Sequence, residues 1–419
     1  MVKKISAVLG LLVSASFLSA EVNFDSGKPV NLQGEIEKIS VGIPVPEMAV
    51  ERGSSKADKD WTIMVYINNK NNLQRYGIKD VNEMEMVGST DKVNIVVELG
   101  AGPDSTSYSF KGTKRYYVTK DDNTSTLSST MVQNLGKVDM GDYKHLIDFG
   151  KWAKSAYPAK KYMLIVWNHG SGWEKSIGDV ITKGISYDDE SRNHINTPQL
   201  GQALKEIGGV DVYGSDACLM GMAEVVYELK DSATYIVGSE ETEPGDGYTY
   251  NDLLAPLAAK PTMTPSELAK TAVTAYVNHY KAQGEDSTQA YVKTSAIDGF
   301  LAAVNEFAYA LSQSDDRASV KSAISKAQSY AISDNKDLYH FASLIVNSSS
   351  DAAVKEKGQA LMTYIKTKLV GANAYSGNYS NSYGIAVYLP TYSIGNGYNE
   401  LQWAKYSNWD EFIKWYQAQ

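Results

Sequence analysis

Five apolar runs of strand length, spaced by helical patterns, constrain this chain more than any other feature: Trp61–Ile67, Val93–Leu99, Tyr162–Trp167, Val210–Tyr213 and Tyr235–Gly238. In Trp61-Thr62-Ile63-Met64-Val65-Tyr66-Ile67 all residues but Thr62 are apolar, where a strand with one wet face would alternate. Such a strand is covered on both sides. The segments Lys79–Met86, Tyr143–Ala156, Gln199–Ile207 and Met220–Leu229 between the runs read as amphipathic helices. Strand, helix, strand units demand parallel pairing, because the crossover carries the chain back to the end it started from. The fold class is therefore α/β, a helix-sheet-helix sandwich with a mainly parallel central sheet. Tyr108–Asp121 reads as a small antiparallel excursion.

Beyond Pro265 the chain turns to long amphipathic helices, Ser266–Ala282, Ile297–Ser312, Ala318–Ala331 and Ala352–Val370. Gln289–Val292 is a candidate extra strand, Gly384–Leu389 a last apolar strand and Trp409–Tyr416 a closing helix. These residues leave open whether the second half is a separate domain; the late strand favours one interleaved unit.

The N-terminus has the layout of a secretory signal: Lys3 and Lys4, an apolar stretch from Ile5 to Leu18, then small residues ending at Ala20, near which cleavage is expected. The stretch is short for a membrane span and is interrupted by Ser14 and Ser16. Residues 21–59, with Pro29, Pro44, Pro46 and a Gly53-Ser54-Ser55 cluster, lack either periodicity and read as a flexible leader or propeptide. The expected mature product is secreted or periplasmic, has no membrane span, and comprises residues 60–419 with helical additions over about 265–380. A net charge of −9 without a dense Lys/Arg block argues against nucleic acid and tolerates basic substrates.

Cys218 is the one cysteine among 419 residues. Exported chains pair their cysteines or avoid them, so a lone thiol is either a small buried hydrophobe or a nucleophile. Its surroundings favour the second. The strand Tyr162–Trp167 runs into Asn168-His169-Gly170-Ser171-Gly172-Trp173, and Val210–Tyr213 runs into Gly214-Ser215-Asp216-Ala217-Cys218. Loops at the carboxyl ends of neighbouring parallel strands share one crevice, which brings His169 and Cys218 together as base and nucleophile. A helix starting just after Cys218 would stabilise the thiolate, and the amides of Gly170 and Cys218 could hold an oxyanion. Asp216, two residues before Cys218, would point to the same side in an extended segment and could pair with a cationic substrate group, or else cap the following helix. His145, His194, His279 and His340 lack a comparable partner and read as structural or surface residues.

These segments resemble the clostripain family of cysteine peptidases, which shares a structural clan with caspases, legumains and gingipains. The resemblance rests on the two apolar strands ending in His169-Gly170 and Asp216-Ala217-Cys218, 49 residues apart from base to nucleophile, and on Trp61–Tyr66, Asn82-Glu83-Met84-Glu85, Gly170–Trp173, Asp216–Met222 and Gly384–Pro390. It covers the chain from Trp61 onward. It implies a caspase-like sandwich and an endopeptidase that cleaves after Arg or Lys through an acyl-enzyme. By the same resemblance Asp246 forms the floor of the specificity pocket, with Glu243 beside it. Family members are often cut between His and Cys, and Lys183, followed by Gly184, stands at the matching position, with Lys175 in the same loop.

No cofactor is required by this reading. The resemblance leaves calcium open, although Asp121-Asp122 and Asp188-Asp189-Glu190 lack the spacing of a calcium loop, and one Cys with scattered His cannot form a zinc set. The partners expected are peptides or proteins with a basic residue at the cut, acted on by a monomer. Two other readings stay open at this point: an exported binding protein on the same fold, and a transpeptidase that passes the acyl group to an amine.

Overall fold

The computed structural model describes residues 59–173 and 184–418. The signal, the leader and the loop lysines Lys175 and Lys183 lie outside the described residues, as does Gln419. The chain enters through β1 (Lys59–Ile67), α1 (Gln74–Glu85), β2 (Val93–Ala101), β3 (Gly112–Tyr117), β4 (Thr130–Gly136), α2 (Tyr143–Ala156) and β5 (Ala159–Trp167). It continues through β6 (Ile185–Asp188), β7 (Asn193–Ile195), α3 (Thr197–Ile207), β8 (Val210–Asp216), α4 (Ala223–Leu229), β9 (Ala233–Gly238), α5 (Tyr250–Ala259) and α6 (Pro265–Gln283). The second half carries β10 (Ser287–Lys293), α7 (Ile297–Ser312), α8 (Arg317–Lys326), β11 (Asn335–Asp337), α9 (Leu338–Ser348), α10 (Ala352–Tyr364), β12 (Val370–Ser376), β13 (Ala386–Tyr388), α11 (Gln402–Tyr406) and α12 (Trp409–Gln417).

A sheet of nine strands in the order β12-β10-β9-β8-β5-β1-β2-β3-β4 forms the middle layer. Its five central strands, β9 to β2, are parallel, and each edge is finished by two antiparallel strands. The apolar runs explain the centre. Met64 and Tyr66 of β1 belong to the core on one face, with residues of α2, α3, α4 and the late helices. Ile63, Val65 and Ile67 belong to the core on the other, with residues of α1, α5 and α6. Alternate side chains of a strand point to opposite faces, so an apolar strand feeds two cores at once.

The second half is interleaved with the first, because β10 and β12 extend the central sheet beyond β9. β10 covers the candidate extra strand Gln289–Val292, whereas the late strand does not join this sheet. Ala386–Tyr388 pairs with β11 in a separate small sheet, while Val370–Ser376, which the helical pattern Ala352–Val370 partly claims, becomes the edge strand. Its sequence Val-Gly-Ala-Asn-Ala-Tyr-Ser is weak in β-formers, yet Gly371 is required there: a Cβ would meet the Tyr291 ring at 2.1 Å. The helix expected over Ala318–Ala331 stops at Lys326, and α5 and α9 are additional elements.

Strand order places the site. From β1 the chain steps to β2 on one side and later to β5 on the other, so the carboxyl ends of β1 and β5 border a topological switch point, with β8 next to β5.

Candidate active site

Register aligns the two motifs. Trp167 of β5 pairs with Asp216 of β8, and Asn168 donates its backbone N–H to Asp216 O at 3.1 Å. His169 and Cys218 each stand two residues past this pair, so both leave the sheet at the same level. They line one cavity of about 190 Å³ with Leu73, Trp167, Asp216, Glu243 and Gly247 among its walls.

Each side chain is held by specific partners. The Asn168 carboxamide oxygen accepts from the backbone N–H groups of His169 (2.7 Å) and Tyr187 (2.8 Å), while its amide donates to Asn68 O, clamping the turn to the end of β1. Asn72 Oδ1 lies 2.6 Å from His169 Nε2. A carboxamide oxygen only accepts, so Nε2 carries the hydrogen and Nδ1 is left as the basic nitrogen. Burial holds the imidazole below its usual range, and the Asp189 charge opposes that shift. Gly170 is needed for a close approach: a Cβ there would lie 2.4 Å from Cys218 O, so the two candidate loops touch backbone to backbone.

Cys218 itself is half-buried, and its Sγ accepts from the backbone N–H of Glu243 at 3.3 Å. Burial pushes the thiol up to about 11, and the charges of Glu243 and Glu241 add to that while the Glu243 N–H opposes it. This corrects the expectation of a helix-stabilised thiolate. The helix after Cys218 begins only at Ala223, because Leu219 donates to Glu241 O (3.0 Å) and Gly221 to Ser239 O (2.7 Å), and Gly221 O accepts from Ala386. These bonds hold Leu219 at φ 63°, a left-handed conformation that costs a non-glycine residue about 1 kcal/mol. Burial thus disfavours the charged form of both the thiol and the imidazole.

Asp216 does not cap a helix. Its carboxyl accepts from Tyr248 N (3.0 Å) and Tyr250 Oη (2.8 Å), and burial pushes it up to about 7. Gly247, at φ 58°, passes so close that a Cβ would lie 2.6 Å from Asp216 Oδ1. Glu243 is within hydrogen-bond reach of Asp216 and accepts from Gln289 Nε2 at 3.2 Å. Burial, then the Asp216 charge, pushes it well up. Asp246 is 40% exposed and pairs with Lys79 at 2.8 Å. It is not among the residues that line the cavity, whereas Asp216 and Glu243 are. Lys183 lies outside the described residues.

Two participants, Asn72 and Asp80, were not singled out from the sequence. Asn72 belongs to a run of asparagines that reads only as a turn. Asp80, fully buried, faces Asp216 and Glu83, and Glu83 accepts from Tyr250 N at 3.0 Å; the Asn82–Glu85 segment is thus tied to the cavity rather than merely to its helix. Glu85 accepts from the backbone of Ser128 (2.9 Å) and Ser129.

In the acidic segment Asp188–Glu190 the carboxylates of Asp188 and Glu190 are already engaged. Asp188 Oδ1 accepts from Glu190 N and Ser191 N, its Oδ2 from Met140 N, and Glu190 is paired with Lys70 (3.0 Å) and Lys137 (2.9 Å). Cation and N–H donors already occupy the oxygens a hard metal would need.

Residues 65–416 match the clostripain family, whose members are the C11 peptidases. The chain belongs to that family. Clostripain of Hathewaya histolytica is 25% identical over 276 residues, which are 60% of this chain and 51% of the relative; the chain spans about half the length of that curated relative. Among solved structures, a secreted C11 cysteine protease from Bacteroides thetaiotaomicron bound to an irreversible peptide inhibitor superposes with a TM-score of 0.65 at 21% identity, covering 84% of this chain and 99% of that one. An inactive zymogen C11 protease from Parabacteroides distasonis gives a TM-score of 0.63 at 17% identity, covering 83% and 98%. The clostripain-family assignment and the caspase-like sandwich expected from the motifs are both borne out, and the family is one of cysteine peptidases. Among the described residues no helix is long and apolar enough to cross a membrane.

Proposed function

We propose that this clostripain-family chain is a secreted cysteine endopeptidase that cleaves peptide bonds after Arg or Lys, with Cys218 as nucleophile and His169 as base. One observation carries the reading: a single cavity is lined by His169, Cys218 and the carboxyl pair Asp216–Glu243. The cation of the substrate side chain lies against the two carboxyls, which sets the scissile carbonyl over Cys218. Because burial disfavours the thiolate, attack is general-base assisted: as sulfur bonds to the carbonyl carbon, its proton passes to His169 Nδ1. The Gly170 and Cys218 amides are the candidate donors to the oxyanion. Collapse of the tetrahedral intermediate expels the amine, which takes the proton from His169, and water then hydrolyses the thioester and restores the thiol. Cleavage of the chain's own loop after Lys183 belongs to the same reading, as the same chemistry applied in cis.

Turnover of matched fluorogenic peptides with Arg, Lys or norleucine before the cut tests it. Cleavage of the basic pair alone, abolished by Cys218→Ala, is expected. Equal turnover of the norleucine peptide, or activity surviving Cys218→Ala, overturns it. In the Cys218→Ala protein the chain should stay uncut at Lys183.

A further inference from the structure

Among the described residues no cation is paired with the carboxyls at the bottom of the cavity, and His169, which lines the same cavity, is held below its usual range by burial. From the surrounding elements Asp80 and Glu83 of α1, Cys218 beyond β8, Tyr248 and Tyr250 leading into α5, and Tyr276 and Tyr280 of α6 face the Asp216–Glu243 pair. None of these is basic. The lysine of α1, Lys79, is held outside the cavity by Asp246 (2.8 Å) and Glu83 (3.6 Å). Glu243 Oε2 is buried and receives no donor from the described residues. Two carboxylates can only repel each other, since an ionised carboxylate has acceptors and no donor. They can sit in contact if one carries a hydrogen and donates it to the other.

We propose that Asp216 and Glu243 share one proton in the empty pocket and exchange it for the cationic group of the substrate, so that specificity for a basic residue is coupled to proton release. The balance is simple. The free pair carries one proton and one negative charge. On binding, the guanidinium or ammonium donates to both carboxylates, the proton leaves to solvent, and two negative charges face one positive charge. A neutral side chain cannot displace the proton, so the pocket neither ionises nor binds it. Burial raises both groups, and Asp216 raises Glu243 further while the hydrogen bond from Glu243 lowers Asp216, as expected when Glu243 carries the shared hydrogen. Glu243 is then a specificity-determining residue in a double sense, because its N–H also contacts Cys218 Sγ at 3.3 Å and ties pocket occupancy to the nucleophile.

The inference rests on the basic-residue reading above, and calorimetry separates the two. Full-length Cys218→Ala protein is titrated with a peptide amide ending in Arg, and with its norleucine counterpart, at about pH 6 in two buffers of different ionisation enthalpy. Release of close to one proton per Arg peptide is expected, fading by about pH 8, with affinity for it falling about tenfold per pH unit below the pair's titration. Glu243→Gln removes the repulsion between the two carboxylates, so proton release on binding the Arg peptide should fade at a lower pH than in the parent protein. Arg-peptide binding with no buffer dependence in the parent protein, or release that fades at an unchanged pH in Glu243→Gln, overturns proton exchange while leaving specificity intact. Equal binding of the norleucine peptide overturns the specificity reading itself.

Discussion

Two buried carboxyl pairs flank the segment after β9, and their difference shows what turns a structural device into a binding site. Asp216–Glu243 opens onto the cavity with Cys218. Glu240–Asp337, three residues away along the chain, is sealed in the second half: Glu240 accepts from Gly384 N at 2.9 Å, and Asp337 from His340 N (2.6 Å) and Tyr383 N. Both pairs bury two acids against each other, and both are pushed up by that burial. Access separates them. Each pair keeps one buried glutamate oxygen without a donor among the described residues, Glu240 Oε1 and Glu243 Oε2, but the closed pair joins β11 to the loop before β13, whereas the open one lines the cavity.

The largest expected effect comes from the open pair. Asp216→Asn removes a charge that faces the substrate cation, and kcat/KM for Arg peptides should fall about a thousandfold, or about 4 kcal/mol, with the protein still folded. A fall of the same size for a norleucine peptide would break the comparison. Next, Asp337→Ala orphans the His340 and Tyr383 amides and leaves Glu240 buried alone, so unfolding free energy should drop by about 3 kcal/mol in urea titrations, with substrate preference unchanged.

Smaller effects test the neighbours. Asn72→Ala frees His169 to exchange tautomers and should lower kcat about tenfold with little change in KM, while Asn72→Asp should move the acid limb of the kcat/KM profile upward, as a carboxylate stabilises the imidazolium. Asp337 is raised from 3.8 to about 7, so its contribution to stability is fully present below 3.8 and is lost as pH rises through about 7. The urea midpoint should fall over that window, and Asp337→Asn should flatten the fall. Asp246→Asn, which breaks only an exposed pair with Lys79, should change kcat/KM for Arg peptides by less than about threefold.

The same acids show how much could be read without coordinates. The strands were legible because Trp61–Ile67 and its counterparts are apolar on both faces, and His169 and Cys218 because both follow such strands. The stretch Glu240–Asp246 reads as one acidic border of the crevice, yet the fold sends its members to different places. Glu240 goes to Asp337, Glu241 to Tyr379 Oη (2.7 Å) and Ala331 N (3.0 Å), Glu243 to the cavity, and Asp246 to Lys79. Each destination is set by a residue distant in sequence, so local pattern could not distinguish them. Met220-Gly221-Met222 likewise has helical character, but bonds to Ser239 and Ala386 hold it extended and delay the helix to Ala223. Asn72 and Asp80 were hidden for the same reason, since each gains its meaning from a partner on another strand.

In the proposed reaction Cys218 attacks the carbonyl of a basic residue seated against Asp216 and Glu243. Intact-mass spectrometry after exposure to a thiol-reactive peptide ending in Arg tests it directly, because Cys218 is the chain's one cysteine. The account predicts a single adduct on Cys218 that forms much faster than with the norleucine peptide and is slowed by Asp216→Asn. Equal labelling by both peptides, or an adduct insensitive to Asp216→Asn, would contradict it.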